Sequence, residues 1–214
     1  MTKLQWGAAG QRFYESGVDR GVLFVDNFGY AWNGLKAVKE DSSGGSPKPL
    51  YLDGIKYLNI AEAEEFTATI DAFSAPAEFG PCDGSLNMYA GLIATHQPRK
   101  PFGLSYRTKL GNDIDGLDHG YKIHLVYGAL AGPSSRDRTS LGDSTDPISL
   151  SWPITTTPPV VSGIRPTAHL IIDSSTIDPY KLQTIEDLLY GTDLTASRLP
   201  TLAELIMIFA PTDG

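Results

Sequence analysis

The sequence predicts a mainly β fold: two packed antiparallel sheets, as a sandwich or barrel, with a flanking α-helix and short C-terminal helices. Three observations predict it. Several short runs alternate apolar with polar residues, the period of a half-buried strand. Gly (22) and Pro (15) punctuate those runs, as tight turns between many short strands require. Helical spacing framed by cap residues is found only after residue 177.

Residues 1–20 show no clean period and read as an N-terminal arm, whose aromatics Trp6, Phe13 and Tyr14 suit docking rather than permanent solvation. VLFV (22–25) opens the strand signals, and the DNFG after it is a turn. YAWNGLKAVK (30–39) reads as a second strand, and EDSSGGSPKP begins a polar loop over residues 40–50. YLDGIKYLN (51–59) carries Asp53-Gly54, a type I′ turn signal between apolar flanks. FTATIDAF (66–73) places Phe66, Ala68, Ile70 and Ala72 on one face. SAPAEFGPCDG reads as one irregular helical turn. FGLSYRTKL (102–110) sets Leu104, Tyr106 and Leu110 opposite Ser105, Arg107 and Lys109. YKIHLVYGALA (121–131) puts Tyr121, Ile123, Leu125 and Tyr127 on one side, and GNDIDGLDHG between these two runs is an acidic turn. AHLIID (168–173) reads as a buried strand. Asp178 then caps a helix with Pro179 at its first position, Leu182, Ile185, Leu188 and Leu189 at helical spacing, and Gly191 as the stop. Thr201 and Glu204 form a capping-box pattern for LAELIMIF. No repeat or linker divides the chain, so residues 1–214 read as one domain with a C-terminal helical element over 178–210.

Composition excludes several classes. The chain is 41% apolar, too apolar for disorder, and its Gly and Pro break any coiled coil. A net charge of −8 argues against tight nucleic-acid binding, which rests on Lys and Arg neutralising phosphates. One cysteine, Cys82, allows neither an internal disulfide nor a cysteine-only zinc site. The start lacks the apolar region of a secretory signal. No apolar run approaches the roughly 20 residues of a membrane span, so a soluble protein folding in a reducing cytoplasm is expected.

Candidate chemistry is sparse. His96, His119, His124 and His169 show no H-x-x-x-H or H-E-x-x-H spacing and read as turn caps or strand-face residues. Asp113, Asp115 and Asp118 invite a calcium reading. With Gly116 at the sixth loop position, however, Lys122 stands where a bidentate Glu is required. Cys82 lies in no C-x-x-C pair and reads as packed. Glu62, Glu64, Glu65, Asp71 and Glu78 have no spacing that fixes a catalytic pair, and a charged solvent face explains them. No nucleophile elbow, dinucleotide fingerprint or P-loop is present. The reading is therefore non-enzymatic, with no metal and no cofactor.

Three blocks, in order, carry a resemblance: YLDGIKYLNIAEAEEFTATIDAFSAPAEFGPCDG, FGLSYRTKLGNDIDGLDHGYKIHLVYGALAGPSS and SWPITTTPPVVSGIRPTAHLIIDSSTIDPYKLQTIEDLLYG. Together they closely resemble the major tail proteins (tail tube proteins) of long-tailed, non-contractile bacteriophages, particularly those of actinobacteria, from about residue 17 to about residue 205. The resemblance implies hexameric rings whose sheets join into one barrel around a channel. Rings stack into the virion's tail tube, assembled in the bacterial host cytoplasm. The tube encloses the tape-measure protein, meets tail-tip and tail-terminator proteins, and conducts double-stranded DNA without specific binding; no membrane partner is implied. The loop over 40–50 matches the family's stacking loop, so Asp41, Ser43, Gly45 and Lys48 are candidates for contact between rings, with Phe13 and Tyr14 of the arm. Ser105, Arg107, Lys109, Lys122 and His124 are polar strand-face residues that could line the channel. Some relatives add a C-terminal immunoglobulin-like domain; with so few residues after Gly191, none is expected here.

Physics makes that reading coherent. Six copies at −8 each give −48 per ring, so DNA would meet repulsion or weak contact rather than a sticky wall, although net charge does not locate the charge on the channel face. Strands shared between copies satisfy sheet edges that would otherwise be open. Two alternatives stand beside it. One is a tail terminator or head–tail completion protein on the same fold. The other is a carbohydrate-binding β-sandwich stacking sugars on Trp32 or Trp152.

Overall fold

The computed structural model describes the chain except residues 1, 2, 5, 62, 135, 137, 139, 141–146, 162 and 211–214. Twelve strands and three α-helices are described: β1 (Phe13–Val25), β2 (Phe28–Ala31), β3 (Leu35–Gly44), β4 (Lys48–Leu52), β5 (Ile55–Ile60), β6 (Glu64–Ala72), α1 (Gly80–Asp83), β7 (Leu86–Tyr89), β8 (Leu92–Ala94), β9 (Phe102–Asn112), β10 (Gly116–Ala131), β11 (Leu150–Thr156), β12 (His169–Asp173), α2 (Pro179–Tyr190) and α3 (Leu202–Phe209). A 3-10 turn, Ala77–Phe79, leads into α1. The irregular helical turn expected there is present.

The two antiparallel layers are one hydrogen-bonded sheet folded over. Its order is β2-β1-β9-β10-β11-β6-β3, with β12 also on β10. The fold line lies in β10. Residues 122–126 pair with β12, whereas residues 129–131 pair with β11. Gly128 stands between them at φ +59°, and a Cβ there would meet the Thr157 carbonyl oxygen at 2.3 Å. Only glycine takes that corner without strain. Between the layers Leu23, Leu104, Tyr106 and Val126 pack against Ala68, Ile70, Trp152 and Ile154, with Phe79 and Cys82. On the opposite face of β1, β9 and β10, Val22, Phe24, Ile123 and Leu125 pack against Ile185 and Leu189 of α2 and Leu205 of α3. Alternation along each strand thus feeds two cores, one per face. Among the described residues the sheet does not close into a barrel.

The helix signals read from sequence hold. Asp178 accepts from the backbone N–H groups of Tyr180 and Lys181 at 3.0 and 3.2 Å, and the chain leaves α2 through Gly191 at φ +78°. Thr201 and Glu204 form the reciprocal capping box that opens α3. Turn chemistry holds as well: Asp53-Gly54 joins β4 to β5 with both residues at positive φ.

Four expectations are corrected. The arm ends at residue 12, because β1 begins at Phe13 and pairs with β9 from Asn112 onward. The strand expected over 30–39 is two strands, broken at Trp32–Gly34, with Gly34 at φ +93°. The loop over 40–50 is largely strand: β3 continues to Gly44 opposite Glu64, and β4 starts at Lys48. Pairing with β6 overrides the turn preference of Asp41, Ser42, Ser43 and Gly44. Residues 168–173 do not form a buried strand, because β12 lies at an edge with Ile171 exposed.

Candidate functional site

The surface that stands out is a pair of two-stranded ribbons outside the main sheet. Among the described residues β4 and β5 pair only with each other, and every residue of both strands is exposed. Tyr51, Leu52, Ile55, Tyr57 and Ile60 are large apolar side chains, each about half exposed or more. The β7–β8 ribbon repeats the pattern with Leu86, Met88, Tyr89, Leu92 and Ile93. A lone two-stranded hairpin is marginal in water, and the apolar side chains on both its faces have no cover among the described residues. The main sheet adds open backbone: no strand among the described residues pairs with the outer edge of β3, nor with that of β1 before Val22. Such edges accept a strand from another chain.

Four of the six residues expected at ring contacts fall in β3, β4 or the link between them, beside the first ribbon. Asp41 and Ser43 lie exposed on the open-edged β3, opposite Thr67 and Glu65. Gly45 follows at φ +72°, and a Cβ there would meet the Glu64 side chain at 2.4 Å. Lys48 begins β4 opposite Ile60. Phe13 and Tyr14 lie in β1, opposite Asn112 and Gly111 of β9. Phe13 is exposed with its ring 5.3 Å from that of His119, whereas Tyr14 lies over Gly111, the residue opposite it on β9.

The five polar strand-face residues do not share a surface. In the β9–β10 register Arg107 stands opposite Ile123 and Ser105 opposite Leu125, so Ser105, Arg107 and Lys109 point to the helix side. Lys122 and His124 point the other way, toward the second layer. Ser105 and His124 are buried. Arg107 is engaged bidentately by Asp19 at 2.7 and 2.8 Å and lies 4.4 Å over the Tyr121 ring. Its guanidinium holds the Asp19 carboxyl below the ordinary aspartate range. Lys122 Nζ meets Glu15 at 2.6 Å. Only Lys109 is exposed on its strand. Within each strand the alternation was legible; which face of β9 matches which face of β10 is set by their register.

Trp32 and Trp152 lie in the core between the layers, their ring centroids 6.0 Å apart, so neither presents a face to a sugar. The acidic turn is closed by its own side chains. Asn112 Oδ1 accepts from the backbone N–H groups of Ile114 and Asp115, and Asp113 Oδ1 accepts from those of Gly10 and Arg12. Cys82 is buried, and burial pushes its thiol up to about 11, away from nucleophile chemistry. Asp71 is paired with Lys39 at 2.6 Å. Glu64 and Glu65 begin β6 and Glu78 lies in the 3-10 turn; Glu62 is outside the described residues. Sequence reasoning missed one constellation, Glu40, His124 and His169, because its members come from three strands far apart in the chain.

No family model matches the chain, and no curated protein matches it. Solved structures similar to it include a chain of the anti-feeding prophage baseplate, 10% identical over 81% of this chain and all of that one, with a TM-score of 0.39. A chain of the sheath–tube complex of an extracellular contractile injection system is 12% identical over 79% of this chain and 94% of the other, at 0.35. A chain of the anti-feeding prophage cap is 10% identical over 81% and 96%, at 0.37.

Proposed function

We propose that this chain is a structural subunit of a phage tail tube. Its copies form hexameric rings that stack around a channel, enclosing the tape-measure protein and passing DNA, and it performs no catalysis. The observation that carries the reading is the β4–β5 ribbon, apolar on both faces and leading directly out of β3, whose outer edge is open. A neighbouring copy covers the ribbon and completes the edge, which removes an aggregation liability. Interfaces that close around an axis give a ring, and repetition along the axis gives a tube. The three sequence blocks that resemble major tail proteins support the same assignment. Asp41, Ser43, Gly45 and Lys48 then act as the stem of the arm between rings, and Tyr51 to Ile60 as its contact surface.

The test replaces residues 49–59 with a short Gly/Ser turn and leaves β3 intact. The variant should keep the far-ultraviolet and thermal signature of the folded subunit, yet form no tubes in negative-stain micrographs under conditions where the parent does. Full-length tubes from the variant would refute the ribbon's role. Rings that never extend, from the parent protein mixed with tail tips, would assign it to tail termination instead.

A further inference from the structure

Where the two layers face each other, three side chains meet. Glu40 comes from β3, His124 from β10 and His169 from β12. His124 Nδ1 lies 3.2 Å from Glu40 Oε1 and 3.1 Å from His169 Nε2, and the three donor atoms lie within 4.8 Å of one another. Their surroundings fix them in place. The Tyr106 ring lies 4.6 Å from that of His124, almost parallel, and the Phe66 ring 4.4 Å from that of His169. The Tyr106 hydroxyl donates to Glu40 Oε1 at 2.6 Å.

The hydrogen bonds on the far side of His124 decide what its near side must hold. Thr108 Oγ1 gives its single hydrogen to Glu15 Oε1 at 2.5 Å. At 3.0 Å from His124 Nε2 the same oxygen therefore accepts, and Nε2 carries a hydrogen. In the neutral ring Nδ1 is then a bare lone pair. It faces a carboxylate oxygen that already accepts from Tyr106. A hydrogen on His169 Nε2 would satisfy Nδ1 but leave the Glu40 carboxylate facing a nitrogen with no proton for it, whereas one cation among the three side chains serves all of their lone pairs at once.

We propose that Glu40, His124 and His169 bind one divalent transition-metal ion of the zinc type, with a remaining position open to water. The donor set is two imidazoles and a carboxylate, and bond lengths near 2.0–2.1 Å in a tetrahedral site put neighbouring ligand atoms about 3.3 Å apart. Two of the three separations, 3.2 and 3.1 Å, match that spacing, and the third, between Glu40 and His169, has to close from within 4.8 Å. The two imidazoles are nearly parallel, 14° apart, with their ring centroids at 5.3 Å. Outer partners of the kind metal ligands require are in place: Thr108 and Glu15 on His124, Tyr106 on Glu40. Side-chain exposure is 4% for His124, 13% for His169 and 37% for Glu40, so an ion reaches the centre past Glu40. Bound there, it ties β3, the strand that continues into the β4–β5 ribbon, to the opposite layer. The site stands independently of the tube reading.

The test uses the full chain, stripped with a chelator and titrated with zinc chloride by calorimetry, with cobalt(II) as the spectroscopic probe. One ion per chain is expected, with visible ligand-field bands of nitrogen- and oxygen-bound cobalt and a zinc-dependent rise in melting temperature. His169→Gln and Glu40→Gln, both at partly exposed positions, should each weaken zinc binding by at least about tenfold while keeping the native circular dichroism. Two outcomes overturn the proposal: no uptake by the parent chain, which leaves a proton as the cation at the centre, or uptake that both variants retain unchanged. Should either variant misfold, the cobalt spectrum of the parent decides alone.

Discussion

Trp32 and Trp152 share one core and one ring system but differ in a single hydrogen bond. Trp32 Nε1 donates to the Ser74 carbonyl oxygen at 2.8 Å. Trp152 Nε1 is buried with no partner among the described residues. Replacing either by Phe removes similar volume and leaves a similar cavity. In Trp32→Phe the Ser74 carbonyl also loses its donor, whereas Trp152→Phe removes a donor that burial already penalises. Trp32→Phe should therefore be the more destabilising by about 1 kcal/mol in urea unfolding. Equal losses, or the reverse order, would show that packing alone sets the value of both residues. Tyr14 makes a related point about exposed aromatics. Its ring covers Gly111 across the strand pair, at distances where any Cβ would collide, so part of its surface serves the sheet's own register.

Helix α3 is held at its start by charge. Glu204 accepts from Arg198 at 2.8 and 3.0 Å and from the Thr201 backbone at 2.8 Å. The Arg198 hydrogen bonds, then the Thr201 backbone, lower its carboxyl from 4.5 to about 2. A depressed folded-state value stabilises the fold above the unfolded value, and that contribution is lost as pH falls through the folded value. Glu204→Gln keeps the capping-box geometry and removes the charge. The parent should melt higher than the variant above about pH 5, and the gap should close between 4.5 and 2. A gap constant across that range in scanning calorimetry would refute the linkage. Because the pair is partly exposed, the gap should also shrink with added salt. Capping of this kind is local, which is why Asp178, Pro179, Gly191, Thr201 and Glu204 were legible in sequence, as was the Asp53-Gly54 turn. Strand pairing is not local. Asp41 to Gly44 read as loop by residue preference and became strand only because β6 supplies partners. The Glu40–His124–His169 centre was illegible for the same reason: register places its members, and no spacing along one element encodes it.

At the scale of the whole molecule, stability is unevenly distributed. β9 and β10 are covered on both faces, by the second layer and by α2 and α3, and each has paired neighbours on both sides. Among the described residues the β4–β5 and β7–β8 ribbons carry apolar side chains with no cover, and each strand has one neighbour. Local opening costs least where few apolar contacts form and the backbone hydrogen bonds face water. Amide hydrogen exchange on the dilute chain should therefore rank the ribbons fastest among the strands, and residues 104–106 and 123–126 slowest. Under the tube reading, assembly buries the β4–β5 ribbon and pairs the outer edge of β3, so protection should appear there first. The core amides, already limited by global opening, should change little. A ribbon as protected in the dilute chain as β9 would mean that it is stable by itself, and the argument that it needs a partner would fail. Protection gained on assembly at α2 and α3, with the ribbon unchanged, would move the interface to the helical face.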